Sequence, residues 1–145
     1  MVFPQFMTAL LAAPLLAATT PVLEVAQNQD PYSDWIYLYE DTFESNAGEA
    51  VTQQWWLNPD IQQRDNLLEF TLLARRSPIS GNGTAAAVFS YVASCDTLSY
   101  SMEKAEFIDS NNAPIDTQTY RRVMEAATPG TEFHGVLSDV CGGVY

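Results

Sequence analysis

Apolar residues recur along this chain with two spacings. From residue 35 to about residue 109 they alternate with polar ones in short runs, the period of a half-buried β-strand, whereas near the C-terminus they follow the period of one helical face. Residues 35–40 (WIYLYE) form the first strand candidate, rich in aromatic and β-branched side chains, with Trp35, Tyr37 and Tyr39 on one side and Ile36 and Leu38 on the other. Residues 51–57 (VTQQWWL) form the second. Extended backbone turns the adjacent Trp55 and Trp56 to opposite sides, so one meets the core and the other is open to solvent, a neighbouring element or a ligand. In residues 67–74 (LLEFTLLA), Leu68, Phe70, Leu72 and Ala74 share one face.

Residues 85–96 and 97–109 are expected to be further strands. The first sets Phe89, Tyr91, Ala93 and Cys95 against Val88 and Val92. The second alternates Leu98, Tyr100 and Met102 until the apolar role passes to Ala105 and Phe107, the change of phase that a β-bulge produces. The intervening DTFESNAGEA (41–50), SPISGNG (77–83) and DSNNAP (109–114) read as loops or turns by their Asn, Asp, Gly and Pro content. Residues 117–127 (TQTYRRVMEAA) fit a short helix slightly better than a last strand, on the spacing of Tyr120, Val123 and Met124.

The closing segment, residues 129–145, predicts an amphipathic helix. Phe133, Val136, Leu137, Val140 and Cys141 form its apolar face; Thr128 and Pro129 offer a cap and first helical position, and Gly142 and Gly143 a stop. So short a helix, with Gly135 costing about 1 kcal/mol against alanine, is unstable alone and needs an anchor. With strands in succession, one terminal helix and no βαβ alternation, the fold class is β-rich α+β. The expected architecture is a curved antiparallel sheet of about five to six strands, with the helix packed on one face and tethered by a disulfide.

The two cysteines supply the tether. In an exported chain Cys95 and Cys141 read as a structural disulfide, both on apolar faces, and closing a loop of about 47 residues contributes roughly 4 kcal/mol in the chain-entropy account. Two buried thiols are the alternative. A catalytic pair of Cys141 with His134 is the other, disfavoured by their separation of nearly two helical turns. Export itself is read from an apolar run at residues 7–18 (MTALLAAPLLAA), too short to span a membrane and the right length for a signal peptide, although no Lys or Arg precedes it. The expected organisation is a signal peptide at 1–18, with cleavage as late as 26, a flexible segment at 19–33 and a single domain at 34–145. No stable membrane span is expected after signal removal.

Six basic residues against eighteen acidic ones give a net charge of −12. Such a surface repels phosphate backbones and anionic lipid, which opposes nucleic-acid binding. With one histidine and no nucleophile-elbow, zincin or P-loop motif, the sequence opposes an enzyme and implies no cofactor or resident metal. A hydrolase built on paired carboxylates is the version that composition alone does not remove.

The C-terminal half resembles the surface-adhesin protein E family of exported bacterial proteins. The resemblance rests on Cys95-Asp96 followed by TLSYSMEKAEFIDSNN, and on Pro-Gly-Thr at 129–131 leading to a helix that closes on Val140-Cys141; it spans about residues 88–141. It implies a curved sheet of about six strands with the helix tethered to its concave side, and, for some members, binding to extracellular-matrix and plasma proteins. The chain departs from it in having no lipobox cysteine and no basic cluster.

The expected function is therefore that of a secreted or periplasmic non-catalytic protein acting by surface contact on an envelope or matrix protein. The alternative is a small-molecule or calcium-binding module. Candidate binding residues are Tyr37, Tyr39, Trp55 and Trp56 as walls, with the carboxylates of residues 41–49 as the calcium version.

Overall fold

The computed structural model describes residues 30–145, so the leader expected at 1–18, its cleavage window and most of the 19–33 segment lie outside the described residues. At the start of the described chain Asp30 closes a turn, its side chain accepting from the Tyr32 N–H at 2.9 Å and its carbonyl from the Ser33 N–H at 3.2 Å.

Asp34–Tyr145 forms one compact unit. Its strands are β1 (Ile36–Glu44), β2 (Ala50–Leu57), β3 (Gln62–Arg64), β4 (Leu67–Ser77), β5 (Ala86–Ser94), β6 (Ser99–Ile108), β7 (Pro114–Thr119) and β8 (Glu125–Ala126), followed by a helix α1 (Glu132–Cys141). All pairings are antiparallel, in the order β1-β2-β4-β5-β6-β7, with β3 also on β4 and β8 also on β6. The β-rich sheet with one short C-terminal helix is as the alternation predicted; the six strands of the main path gain two short ones at its rim.

Strand β1 runs four residues further than the sequence pattern suggested. Asp41 to Glu44 pair with residues of β2, and the turn shrinks to Ser45–Glu49, closed by Ser45 N–H to the Glu49 carbonyl at 2.8 Å and by the Ser45 hydroxyl accepting from the N–H groups of Ala47 and Glu49. The hairpin β3–β4, not anticipated, turns on Asp65 and Asn66, both left-handed (φ 53° and 68°), residue types that tolerate that region and suit a two-residue hairpin loop.

The expected change of phase in β6 is present. Ser90 pairs with Lys104 and Tyr91 with Met102, so Glu103 is the bulged residue, and Tyr100, Met102 and Ala105 all keep to the helix side. Residues 117–127 are not helical. They run extended beside β6 as the end of β7, an irregular stretch and β8, and Tyr120, Val123 and Met124 are all exposed, so their helix-like spacing served no buried face.

Helix α1 packs on the sheet through Val136, Leu137 and Val140, all buried among Leu57, Phe70, Leu72, Tyr91 and Ala93. It begins three residues later than Thr128 and Pro129 suggested. Pro129 and Gly130 (φ 85°) instead sit at the centre of a turn in which the Thr131 N–H reaches the Thr128 carbonyl, and Thr131 is the cap, its hydroxyl accepting from the His134 N–H at 3.1 Å. Gly142 ends the helix as expected. The Cys95–Cys141 disulfide joins the turn after β5 to the last residue of the helix, with 5.5 Å between Cα atoms. No helix among the described residues is long and apolar enough to cross a membrane.

Candidate functional site

The candidate binding residues Tyr37, Tyr39, Trp55 and Trp56 all lie in the β1–β2 hairpin, but they do not line one surface. A register shift between Tyr37 and Tyr39 inserts Leu38 as an extra residue, placing Tyr37 opposite Trp56 and Tyr39 opposite Trp55. Since Trp55 and Trp56 point to opposite sides, so do the two tyrosines. The expectation that Tyr37 and Tyr39 share a face is thereby corrected: a bulge invalidates an alternation counted through it.

On the helix side, Tyr39, Trp55 and Phe89 stack in series with centroid separations of 5.9 and 5.8 Å, and the series continues through Tyr91 to Phe133 on α1 at 5.3 Å and from Phe133 to Tyr100 at 4.5 Å. The Trp55 indole N–H donates to Asp41 Oδ1 at 3.3 Å. Burial, with the charges of Asp41 and Glu132 adding to it, pushes the Tyr39 hydroxyl up to about 12. Tyr91 is raised by burial as well. These rings pack the core against the helix.

The other side carries a different cluster. Tyr37 is 51% exposed and meets Trp56 edge-on at 5.4 Å, while the Arg75 guanidinium lies 5.3 Å over the Trp56 ring. Arg75 was not anticipated as part of a site. Its place follows from the β2–β4 register, in which Arg75 pairs with Gln54 and Leu73 with Trp56, a relation between strands that no local pattern reports.

On this same side, over β4 and β5 and beside Glu103 of β6, lies an open cup of about 350 Å³ lined in part by Asp60, Glu69, Thr71, Ser90, Val92 and Glu103. Its carboxylates are engaged. Glu103 accepts two parallel bonds from Arg122, at 2.9 and 2.8 Å, Glu69 lies 3.6 Å from Arg64, and Asp60 accepts from the Gln62 amide. The bond from Arg122 holds the Glu103 carboxyl below its ordinary range, opposite to the shift a general acid requires.

The carboxylates of residues 41–49 do not gather. Asp41 is bound to Trp55 and the turn is closed by Ser45; among the described residues no group of three or more acidic, histidine or cysteine side chains is placed to hold a metal. The Cys141–His134 pair is removed as a nucleophile and base, because the Cys141 sulfur is bonded to Cys95. No family model, curated protein or solved structure matches this chain.

Proposed function

We propose that the protein is exported and acts without catalysis, by surface contact, as a protein E-like adhesin or envelope accessory domain in the periplasm or outside the cell. The observation that carries the reading is the cluster of Tyr37, Trp56 and Arg75 on the side of the sheet away from α1. Tyrosine, tryptophan and arginine are the side chains that dominate binding energy at protein interfaces, and here they stand together near β1, which among the described residues pairs with β2 alone. The apolar run at residues 7–18 and a disulfide, which persists in oxidising compartments, support export.

The test is direct binding of the purified protein to a panel of extracellular-matrix and plasma proteins and to isolated envelope fractions. Binding weakened about tenfold or more by Trp56→Ala, with the fold retained, supports the reading. Absence of binding to every member, or binding indifferent to Trp56→Ala and Tyr37→Ala, rejects it. The cup over β4 and β5 favours the small-molecule alternative, and a ligand retained in native mass spectra and lost on Ser90→Trp would move the assignment there.

A further inference from the structure

We infer a second binding site, on the helix side of the sheet where β4 turns into β5, for a small zwitterion that carries a carboxylate and an ammonium group several bonds apart. An open pocket of about 320 Å³ lies there, lined in part by Arg76, Thr84, Phe107, Asp116 and Gln118. Arg76 is the penultimate residue of β4, next on the face that holds Leu72 and Ala74, and its N–H donates to the Ala85 carbonyl at 2.9 Å, which sets Thr84 beside it. Phe107 follows Ala105 on the helix side of β6, and β7 brings Asp116 opposite Phe107 and Gln118 opposite Ala105.

Two donors in this pocket are left over by the fold. Arg76 donates from Nε to the Pro78 carbonyl at 3.0 Å and forms no ion pair among the described residues, although Asp116 lines the same pocket. A guanidinium offers five N–H donors, so its two Nη groups remain. Thr84 is only 9% exposed, and its hydroxyl has no hydrogen-bond partner among the described residues. A buried hydroxyl without a partner is unfavourable, and an acceptor atom on a ligand satisfies it. The wall that carries Thr84 is fixed: the Ser80 N–H donates to the Thr84 carbonyl at 3.0 Å, and the Thr84 N–H is shared by the Ser80 hydroxyl and Asn82 Oδ1 at 3.2 and 3.1 Å. On the facing wall the Asp116 carboxylate is held by the Thr117 N–H at 2.9 Å and the Gln118 amide at 3.3 Å, one on each oxygen, which leaves lone pairs open on both.

The pocket thus has a donor wall with a positive charge, an acceptor wall with a negative one, and an aromatic ring between them. A simple anion meets Asp116 and a molecule at −12, and a simple cation meets Arg76. A ligand with both charges complements both walls: its carboxylate accepts from Arg76 and the Thr84 hydroxyl, its ammonium donates to Asp116, and its methylenes lie on Phe107. Thr84 stands two residues before β5, and the order β5-β6-β7 separates that strand from Asp116 by two strand spacings, roughly 10 Å, so the ligand has the reach of an ω-amino acid or a dipeptide and not of an α-amino acid. Tyr37 and Trp56 lie on the other side of the sheet, and this inference stands or falls separately from the contact reading.

Heteronuclear NMR titration of the protein with δ-aminovalerate is expected to give saturable shifts centred on Thr84, Phe107 and Asp116, with a dissociation constant of about millimolar. Valerate and n-pentylamine, each carrying one of the two charges, and glycine, too short to span the ring, should bind about tenfold or more weakly. Arg76→Gln should weaken δ-aminovalerate about tenfold or more without weakening n-pentylamine, and Asp116→Asn should do so without weakening valerate. The amide spectra of both variants check that the fold is kept. No saturable shift up to roughly 0.1 M ligand, equal binding of either single-charge compound or of glycine, or an affinity for δ-aminovalerate unchanged by Arg76→Gln or by Asp116→Asn overturns the inference.

Discussion

Tyr37 and Tyr39 stand two residues apart in β1 and face opposite sides of the sheet, each against its own tryptophan. One strand thus feeds an aromatic ring into the packing beneath α1 and another into the surface away from it. The division separates the rings that pack beneath α1 from those that meet a partner in the proposed contact reading.

Alanine at the two adjacent tryptophans should therefore have unlike effects. Trp55 is stacked between Tyr39 and Phe89 and bonded to Asp41, so Trp55→Ala removes contacts on three sides and is expected to cost about 2–3 kcal/mol. Trp56→Ala loses the Tyr37 edge and the Arg75 cation, about 1–2 kcal/mol, with its larger effect on binding. Urea denaturation of both variants checks the order; a Trp56→Ala penalty equal to or above that of Trp55→Ala would place the functional face on the wrong side.

The disulfide closes its loop across the helix interface, 46 residues apart in sequence, for roughly 4 kcal/mol in the chain-entropy account. Cys141→Ser, or reduction, is expected to lower Tm by about 10 °C or more and to raise exchange of the α1 amides before those of β4 and β5. If Tm is unmoved, the helix is held by its apolar face alone.

Two glycines around α1 make opposite predictions for the same substitution. Gly135 lies within the helix, and a Cβ built there meets nothing within 4 Å, so Gly135→Ala should stabilise by about 0.5–1 kcal/mol. Gly130 has φ 85° in the turn that precedes the Thr131 cap, and Gly130→Ala should destabilise by about 1–2 kcal/mol although the space there is also open. Thermal melts of the pair give the sign directly; two shifts of one sign would mean that backbone conformation does not decide these sites.

The parts of this fold legible in the sequence were those with a local signature. The alternation in β4, β5 and β6, the phase change at Glu103 and the apolar face of α1 were each carried by neighbours in the chain. What was not legible depended on partners. Leu38 becomes a bulged residue only through its register with β2, and the cluster of Tyr37, Trp56 and Arg75 needs two strand pairings to exist. The stretch 117–127 misled for a related reason: at a sheet edge no core selects the spacing of Tyr120, Val123 and Met124, so their pattern carried no structural information.

The tyrosines beneath the helix make stability depend on alkaline pH. Tyr39 is pushed up to about 12 by burial and by the charges of Asp41 and Glu132, and Tyr91 and Tyr100 are raised mainly by burial. A phenol is neutral while protonated, so a raised value means that the native state keeps a proton the unfolded chain has released. The unfolded state then binds fewer protons, and stability falls as pH rises. For Tyr39 the contribution is fully present below its unfolded value of 10.0 and is lost between there and about 12. The expected result is a Tm that holds through neutral pH and declines from about pH 10, accompanied by a late phase of phenolate absorbance that coincides with unfolding. General repulsion in a molecule already at −12 also grows with pH, and Tyr39→Phe separates the two causes. It removes one titrating group and keeps the ring against Trp55, so the slope of Tm against pH should become shallower. An unchanged slope in Tyr39→Phe would assign the alkaline loss to net charge and not to the buried phenols.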